Sequence, residues 1–240
     1  LTLFGRYYHV KDGAPLDIGF HGYRSSALTD FAGGSELSFS MGHNLLLIDE
    51  RAHGRSEGRT ITFGIQERWD VESWARFAVE RFGADVQIIL YGVSMGAATV
   101  LMAAGLDLPE NVKGIIADCG YTSPDAIFRH IIKHSFHIPC FPVLNLSNLI
   151  SKLLARFEFK DASTTDALKQ SAPHEIPILF IHGKDDHFVP ADMTLQNHDA
   201  FPGKKKLLLI EGASHAASYY TDTAAYEAAV RQLIYSPQSF

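Results

Sequence analysis

Ser94 sits between two glycines in Gly92-Val-Ser-Met-Gly96, after the apolar run 88–91 and before small residues at helical spacing. A serine hydroxyl is a weak nucleophile. It becomes an effective one when an imidazole takes its proton and a carboxylate holds that imidazole in a single tautomer. The chain supplies both further on: Gly183-Lys-Asp-Asp-His-Phe-Val-Pro190 carries Asp185 and Asp186, and Glu211-Gly-Ala-Ser-His215 ends in a histidine. Serine, then acid, then histidine is the chain order expected on a doubly wound α/β architecture, and both later groups follow the ends of strands on the same edge as Ser94. The chemistry implied is acyl transfer through a covalent intermediate, with Ser94 as nucleophile, His215 as base and one of the two aspartates as acid. The five-residue serine pattern arises often by chance, and the competing reading is a Gly-rich helix entry with a solvent-facing serine. The flanking strand and helix patterns, and two further loops falling at strand ends, favour the nucleophile.

Those loops converge only if a sheet brings their strands side by side. Near-continuous apolar runs predict strands at 16–20, 44–48, 86–91, 112–117, 176–182 and 206–210, with an antiparallel edge strand within 1–10. Continuous rather than alternating apolarity is expected of strands covered on both faces. Helical patterns lie between them, at 66–82, 97–105 and 224–235. In 66–82 the residues Trp69, Val71, Trp74, Phe77, Ala78 and Phe82 are expected to form the buried stripe. Repeated β-α-β units imply an α/β protein with a doubly wound, mostly parallel sheet flanked by helices. Residues 123–163, rich in apolar side chains and carrying Pro139 and Pro142, break the alternation. They are expected to form a small helical lid inserted between core strands, with 1–122 and 164–240 making the core.

With these motifs in place the chain resembles the α/β-hydrolase superfamily. His21-Gly-Tyr-Arg24 is similar to its oxyanion loop. Asp49-Glu-Arg-Ala-His-Gly-Arg-Ser-Glu-Gly58 is similar to its D-x-R-G-H-G-x-S-x-G stretch, with Ala52 where glycine is usual. Gly92–Gly96 is similar to the nucleophile elbow, 183–190 to the acid loop, and His215 closes a G-x-x-H motif. Phe63-Gly-Ile-Gln-Glu-Arg-Trp-Asp70 resembles bacterial esterase-like members with a short cap. The resemblance implies a serine esterase of the α/β-hydrolase fold with Ser94, Asp186 and His215 as the triad. It also implies that the backbone N–H groups of Tyr23 and Met95 form an oxyanion hole, and that no cofactor is needed. It places the acid at Asp186 rather than Asp185. The substrate expected is a small carboxylic ester with an apolar acyl part. Amide, peptide or thioester hydrolysis can run on the same triad. Haloalkane dehalogenation is disfavoured, because it calls for an aspartate at position 94. A non-catalytic interaction module is disfavoured because no triad member is missing.

Other residues that could do chemistry have plainer readings. His130, His134 and His137 are spaced for a metal on a helix, but no cysteine or carboxylate completes the set, so a polar lid face is expected and no metal. His21 is expected to orient its loop by hydrogen bonding, while His53 and His182 are expected to be structural. Cys119 is expected to be a buried thiol, and Arg24 a solvated surface charge. The two cysteines form no metal or disulfide spacing, which fits a reducing compartment. A formal net charge of −6 argues against a nucleic-acid surface. No apolar run is long enough to span a membrane, no membrane partner is indicated, and no signal-peptide pattern opens the chain, so a cytoplasmic location is expected. The chain starts without Met and directly in a strand-like pattern, and upstream sequence is expected. The oligomeric state is left open.

Overall fold

The computed structural model describes residues 1–171, 176–236 and 238. Residues 172–175, 237 and 239–240, assigned above to the core, lie outside the described residues. The described strands are β1 (Phe4–Tyr8), β2 (Leu16–Phe20), β3 (Asn44–Asp49), β4 (Ile88–Val93), β5 (Val112–Asp118), β6 (Ile178–Gly183) and β7 (Lys205–Ile210). They form one sheet in the order β1-β3-β2-β4-β5-β6-β7. β1 is antiparallel to β3, and the other pairs are parallel. The helices are α1 (Ala27–Asp30), α2 (Ala32–Ser40), α3 (Glu67–Phe82), α4 (Met95–Ala103), α5 (Pro124–His134), α6 (Cys140–Ile150), α7 (Thr164–Gln170), α8 (Ala191–Ala200), α9 (Ser218–Thr221) and α10 (Thr223–Tyr235). A π-helical turn, Ser151–Ala155, continues α6.

Side chains alternate across the sheet with the period of two that a pleated strand imposes. Leu16, Ile18, Phe20, Ile88, Leu90 and Ile115 pack on one face under α3, α4 and α7. Leu45, Leu47, Ile89, Tyr91, Ile116 and Leu179 pack on the other under α2 and α10. Both faces are covered, which is why these strands read as near-continuous apolar runs. The stripe expected on α3 is corrected in part. Val71 and Ala78 are buried together with Ala75, and Trp74 and Phe82 are partly buried against them, but Trp69 and Phe77 project into solvent. Val71, Ala75 and Ala78 follow an i, i+4, i+7 pattern that turns those two aromatics off the face.

The chain between β5 and β6 leaves the sheet and returns close to where it left. The Ser123 hydroxyl caps α5 by accepting from the Ala126 N–H at 3.1 Å, and the Ser163 hydroxyl caps α7 by accepting from Asp166 N–H at 3.0 Å. The Thr164 N–H donates to the Thr122 carbonyl at 2.9 Å, tying the two ends of the excursion together. Within it, Ile127, Leu144, Phe157 and Phe159 pack with Ile65, Met95 and Met102 in a third cluster above the carboxyl ends of the central strands. Among the described residues no helix is long and apolar enough to cross a membrane.

Candidate active site

Ser94 occupies the turn from β4 to α4 with φ 55° and ψ −113°. This backbone conformation is costly for a residue with a Cβ and persists only where packing enforces it. Here the enforcement is visible. A Cβ on Gly92 would lie 2.3 Å from the Gly96 carbonyl oxygen, and one on Gly96 would lie 2.0 Å from the Phe20 carbonyl oxygen. β4 and α4 therefore approach each other, and β2, more closely than any side chain allows. The Ser94 N–H donates to the Asp118 carbonyl at 2.8 Å, and its own carbonyl accepts from Ala98 at 3.0 Å. Because Ser94 itself starts the helix, α4 begins at Met95, two residues before the predicted start.

His215 lies after β7, in a loop with left-handed residues Gly212 and Ala216 on either side. The Asp185 N–H donates to the Ala213 carbonyl at 3.0 Å, joining this loop to the one after β6. Nε2 of His215 accepts from the Ser94 hydroxyl at 2.9 Å, and Nδ1 donates to Oδ2 of Asp186 at 2.6 Å. A carboxylate can only accept, so it fixes the proton on Nδ1 and leaves Nε2 as an acceptor facing the serine. Phe188 sets an edge of its ring against the His215 imidazole at 5.0 Å.

Asp186 is nearly enclosed and satisfied on both oxygens. Oδ1 accepts from the Phe188 and Val189 N–H groups, each at 2.9 Å. Oδ2 also meets Nε2 of His182 at 3.2 Å. His182 is held in turn by the Val189 carbonyl at 2.8 Å and the Thr194 hydroxyl at 2.7 Å. Burial alone would push the Asp186 carboxyl up. The bonds from His182 and His215 and the Val189 amide outweigh it and hold the group below the ordinary value of 3.8. Asp185, one residue earlier, is exposed. Asp118 is buried and accepts from the Ser218 hydroxyl at 3.1 Å, and burial raises its carboxyl above the usual range.

The loop after β2 runs beside the serine, so that a Cβ on Gly22 would stand 3.3 Å from that of Ser94. Its shape comes from Asp30, which accepts from the Gly22 N–H at 2.6 Å and from the Ser25 hydroxyl at 2.5 Å. His21 donates through Nδ1 to the Gly22 carbonyl at 2.7 Å and accepts at Nε2 from the Glu50 N–H at 3.1 Å. Burial first, and the neighbouring His53, lower its pKa. His53 accepts the Arg24 N–H at 3.0 Å, while the Arg24 side chain is exposed. Tyr23 and Met95 both border the cavity beside Ser94.

That cavity, about 620 Å³, has Ser94 in its wall. Its other walls are mostly apolar and come from the loops after β2 and β6, the turn at Phe63 and the inserted helices: Tyr23, Phe63, Ile127, Phe128, Leu144 and Phe188 among them. Phe63 has a left-handed φ of 56° and packs its ring on Tyr23 at 5.1 Å and Phe128 at 4.7 Å. Glu67 fixes this turn by accepting from the Thr62 N–H at 2.7 Å, the Thr62 hydroxyl at 2.5 Å and the Gly64 N–H at 2.9 Å. His182, Asp30 and Glu67 were not singled out as shaping the site. Each is a common residue type whose role depends on a partner distant in space or on a loop conformation. Phe63 and Phe188 lay inside motifs already quoted, so their neighbourhood was the available signal.

Among the described residues, ligand-type atoms of Cys119, Asp186 and His215 gather within 4.8 Å. Asp186 and His215 spend those atoms on each other at 2.6 Å, and burial, then Asp118 and Asp186, pushes the Cys119 thiol well up, against the thiolate a metal needs. His130 and His134 stack at 4.6 Å on α5, but that helix ends at His134, and His137 lies beyond it.

The uncharacterized protein YqkD of Bacillus subtilis is 28% identical over 198 residues, covering 82% of this chain and 64% of the relative. YfhR of Escherichia coli K12 is 24% identical over 179 residues, covering 73% of this chain and 54% of the relative. The chain thus spans less than two thirds of the length of these relatives. The esterase Pf2001 of Pyrococcus furiosus superposes with a TM-score of 0.74 at 19% identity, over 97% of this chain and 86% of that one. Est1E of Butyrivibrio proteoclasticus, solved with ferulic acid bound, superposes with a TM-score of 0.69 at 17% identity, over 99% and 96%. At such identities the likeness is one of fold. Residues 19–138, from the end of β2 through the elbow and into the inserted helices, match the model of the alpha/beta hydrolase fold, and the chain belongs to that family.

Proposed function

We propose that the chain is a serine hydrolase that cleaves carboxylic esters with an apolar acyl group through an acyl-enzyme. The observation that carries this reading is the unbroken relay Ser94–His215–Asp186, with its Ser94 end in the wall of a mostly apolar cavity. Ser94 attacks the ester carbonyl while Nε2 of His215 takes its proton. The imidazolium so formed is stabilised by Asp186 and returns the proton to the departing alcohol. Water then repeats the sequence to release the acid. Developing charge on the carbonyl oxygen is met by the N–H groups of Tyr23 and Met95, the latter at the positive end of α4. The cavity takes the acyl chain, and 123–163 serves as a lid whose inner side supplies much of the wall.

Ser94→Ala tests this. The variant should fold as the parent does, lose turnover of p-nitrophenyl butyrate by about 10⁴-fold or more, and lose labelling by a fluorophosphonate. Retained turnover in protein free of contaminating esterase would remove the mechanism. Hydrolysis of matched amides as fast as esters would reassign the substrate class.

A further inference from the structure

Helix α6 is turned the wrong way round for a helix covering a core. Leu146, Leu149, Ile150 and Leu153 fall at i, i+3, i+4 and i+7 and make one apolar stripe. All four face solvent, at 56%, 50%, 47% and 70% exposure. Leu154 beside them is 82% exposed. The side of α6 that faces the protein carries Leu144 together with the polar Ser147 and Asn148. Asn148 is used there as a structural bond, accepting from the Phe159 N–H at 2.7 Å. In all, nine large apolar side chains are exposed between residues 136 and 154. An apolar surface gathered this way on one segment, rather than scattered, marks a face that meets something other than water.

Two observations identify what it meets. First, residues 126–157 contain four Lys and Arg side chains and no carboxylate, in a chain whose net charge is −6. Arg129 and Lys152 pair with Asp125 and Glu158 at the edges of this stretch, while Lys133 and Arg156 are exposed. A second copy of the chain packed on this face about a two-fold axis would bring like charges together. A negatively charged lipid surface would complement them. Second, the patch runs without a break into the cavity. Phe136, Ile138 and Val143 are exposed at its edge, and the same three residues line the cavity that holds Ser94. A hydrocarbon chain leaving a bilayer would therefore pass from one apolar surface to another without entering water.

We infer that α6 and the turn after it dock the protein on an anionic bilayer surface, with the stripe of Leu146, Leu149, Ile150 and Leu153 set into the acyl boundary, and that the substrate is a lipid ester drawn from that surface. The docking stands on the surface alone. The identity of the substrate rests on the hydrolase reading above. This departs from the sequence expectation of no membrane partner, which considered only spans.

The test is flotation of the full chain with vesicles of phosphatidylcholine containing 30 mol% phosphatidylglycerol, with turnover of water-soluble p-nitrophenyl butyrate measured in parallel. None of the substituted residues lines the cavity. The parent should float with the anionic vesicles. The triple variant Leu149→Ser, Leu153→Ser, Leu154→Ser should weaken binding by about tenfold per leucine. The pair Lys133→Gln, Arg156→Gln should weaken it by about fivefold per charge and lose the preference over pure phosphatidylcholine. Both variants should keep parental butyrate turnover. A parent that stays unbound, or a leucine variant that floats as the parent does, overturns the docking. So does a dimer of the parent in sedimentation velocity that the leucine substitutions dissociate, since a second copy would then be the occupant. Vesicle binding without ester turnover supports the docking and defeats the hydrolase reading; turnover without binding does the reverse.

Discussion

Replacing Asp186 by Asn changes one atom, and the surroundings decide where that atom goes. The Phe188 and Val189 N–H groups both point at Oδ1 from 2.9 Å. Turning the amide NH₂ toward them would set donor against donor in a buried place, at about 1–3 kcal/mol for each group left unpaired. The amide therefore keeps its carbonyl on the backbone and presents NH₂ to the two histidines. Nδ1 of His215 must then accept, so the ring proton moves to Nε2, where it faces the Ser94 hydroxyl and blocks proton transfer. In the best-studied triad this wrong tautomer costs about 10⁴ in kcat, or about 5.4 kcal/mol of transition-state stabilisation. Asp185 is exposed, and the contact that joins its loop to His215 is made by its backbone N–H. Asp185→Asn keeps that bond and should change turnover by less than about tenfold. Steady-state hydrolysis of p-nitrophenyl butyrate, with active sites counted by fluorophosphonate and folding checked by thermal melts, compares the two. A larger loss for Asp185→Asn would refute the reasoning and move the acid to Asp185, and two mild variants would refute it and send the search to Asp118.

Three further outcomes concern the scaffold. Ala52 holds a left-handed φ of 61° in the turn after β3. That costs roughly 1–2 kcal/mol for a residue with a Cβ, against roughly 0.5–1 kcal/mol of added chain entropy for glycine. Ala52→Gly should accordingly raise the urea midpoint, by about 0.5–1 kcal/mol of stability, and a lowered midpoint would contradict this. Gly96→Ala places a methyl 2.0 Å from the Phe20 carbonyl oxygen and 2.9 Å from that of His21. The loss should be about 3 kcal/mol or more, well beyond the roughly 1 kcal/mol that alanine gains over glycine in a helix, and an unchanged melting temperature would show the elbow to be looser than described. Glu50 is buried with neither carboxyl oxygen bonded among the described residues, and burial, then Glu67 and Asp70, raises its carboxyl well above 4.5. Its neutral form fits the fold while the unfolded chain ionises near 4.5, so its contribution to stability is whole below that pH and is lost as pH rises toward the folded value. Glu50→Gln should therefore gain on the parent in urea midpoint as pH increases from 4.5, and a constant difference between them would refute the assignment.

How much of this was legible in the sequence differs from element to element. The strands were, because burial on both faces leaves short, mostly apolar runs, and their length and flanking turns separate them from a buried helix such as α4. Their ends shifted by a residue or two where a turn took over, as at β4, which starts at Ile88 and not Val86. Helices α2 and α8 were not singled out. In α2 the Gly33-Gly34 pair reads as a loop, yet Gly33 is there because a Cβ would come within 2.3 Å of the Tyr219 ring. That reason lies 186 positions away in the chain. Trp69 and Phe77 misled the reading of α3 because size and apolarity say how much a side chain gains by burial, not whether the helix is turned to allow it.

The meeting of Ser94, His215 and Asp186 was legible for a physical reason. The proposed chemistry calls for particular residue types at strand ends, and strand ends can be found. What stayed hidden was the support. Ser94 is held by the Asp118 carbonyl, Asp186 by His182 and two backbone amides, and the turn at Phe63 by Glu67. None of these depends on a rare residue type or a diagnostic spacing. The same limit applies to α6. Its sequence, with leucines at helical spacing, fits a core helix, and only their exposure, with Ser147 and Asn148 placed against the protein, shows that the leucines point outward. A stripe of this kind has two possible destinations, and the chain alone does not say which. The exposure of the four side chains decides it, and the opposite side agrees, where Asn148 accepts from the Phe159 N–H. At about 1 kcal/mol one hydrogen bond is worth less than the burial of four apolar side chains, so the inward bond of Asn148 accompanies the outward stripe and does not by itself fix it.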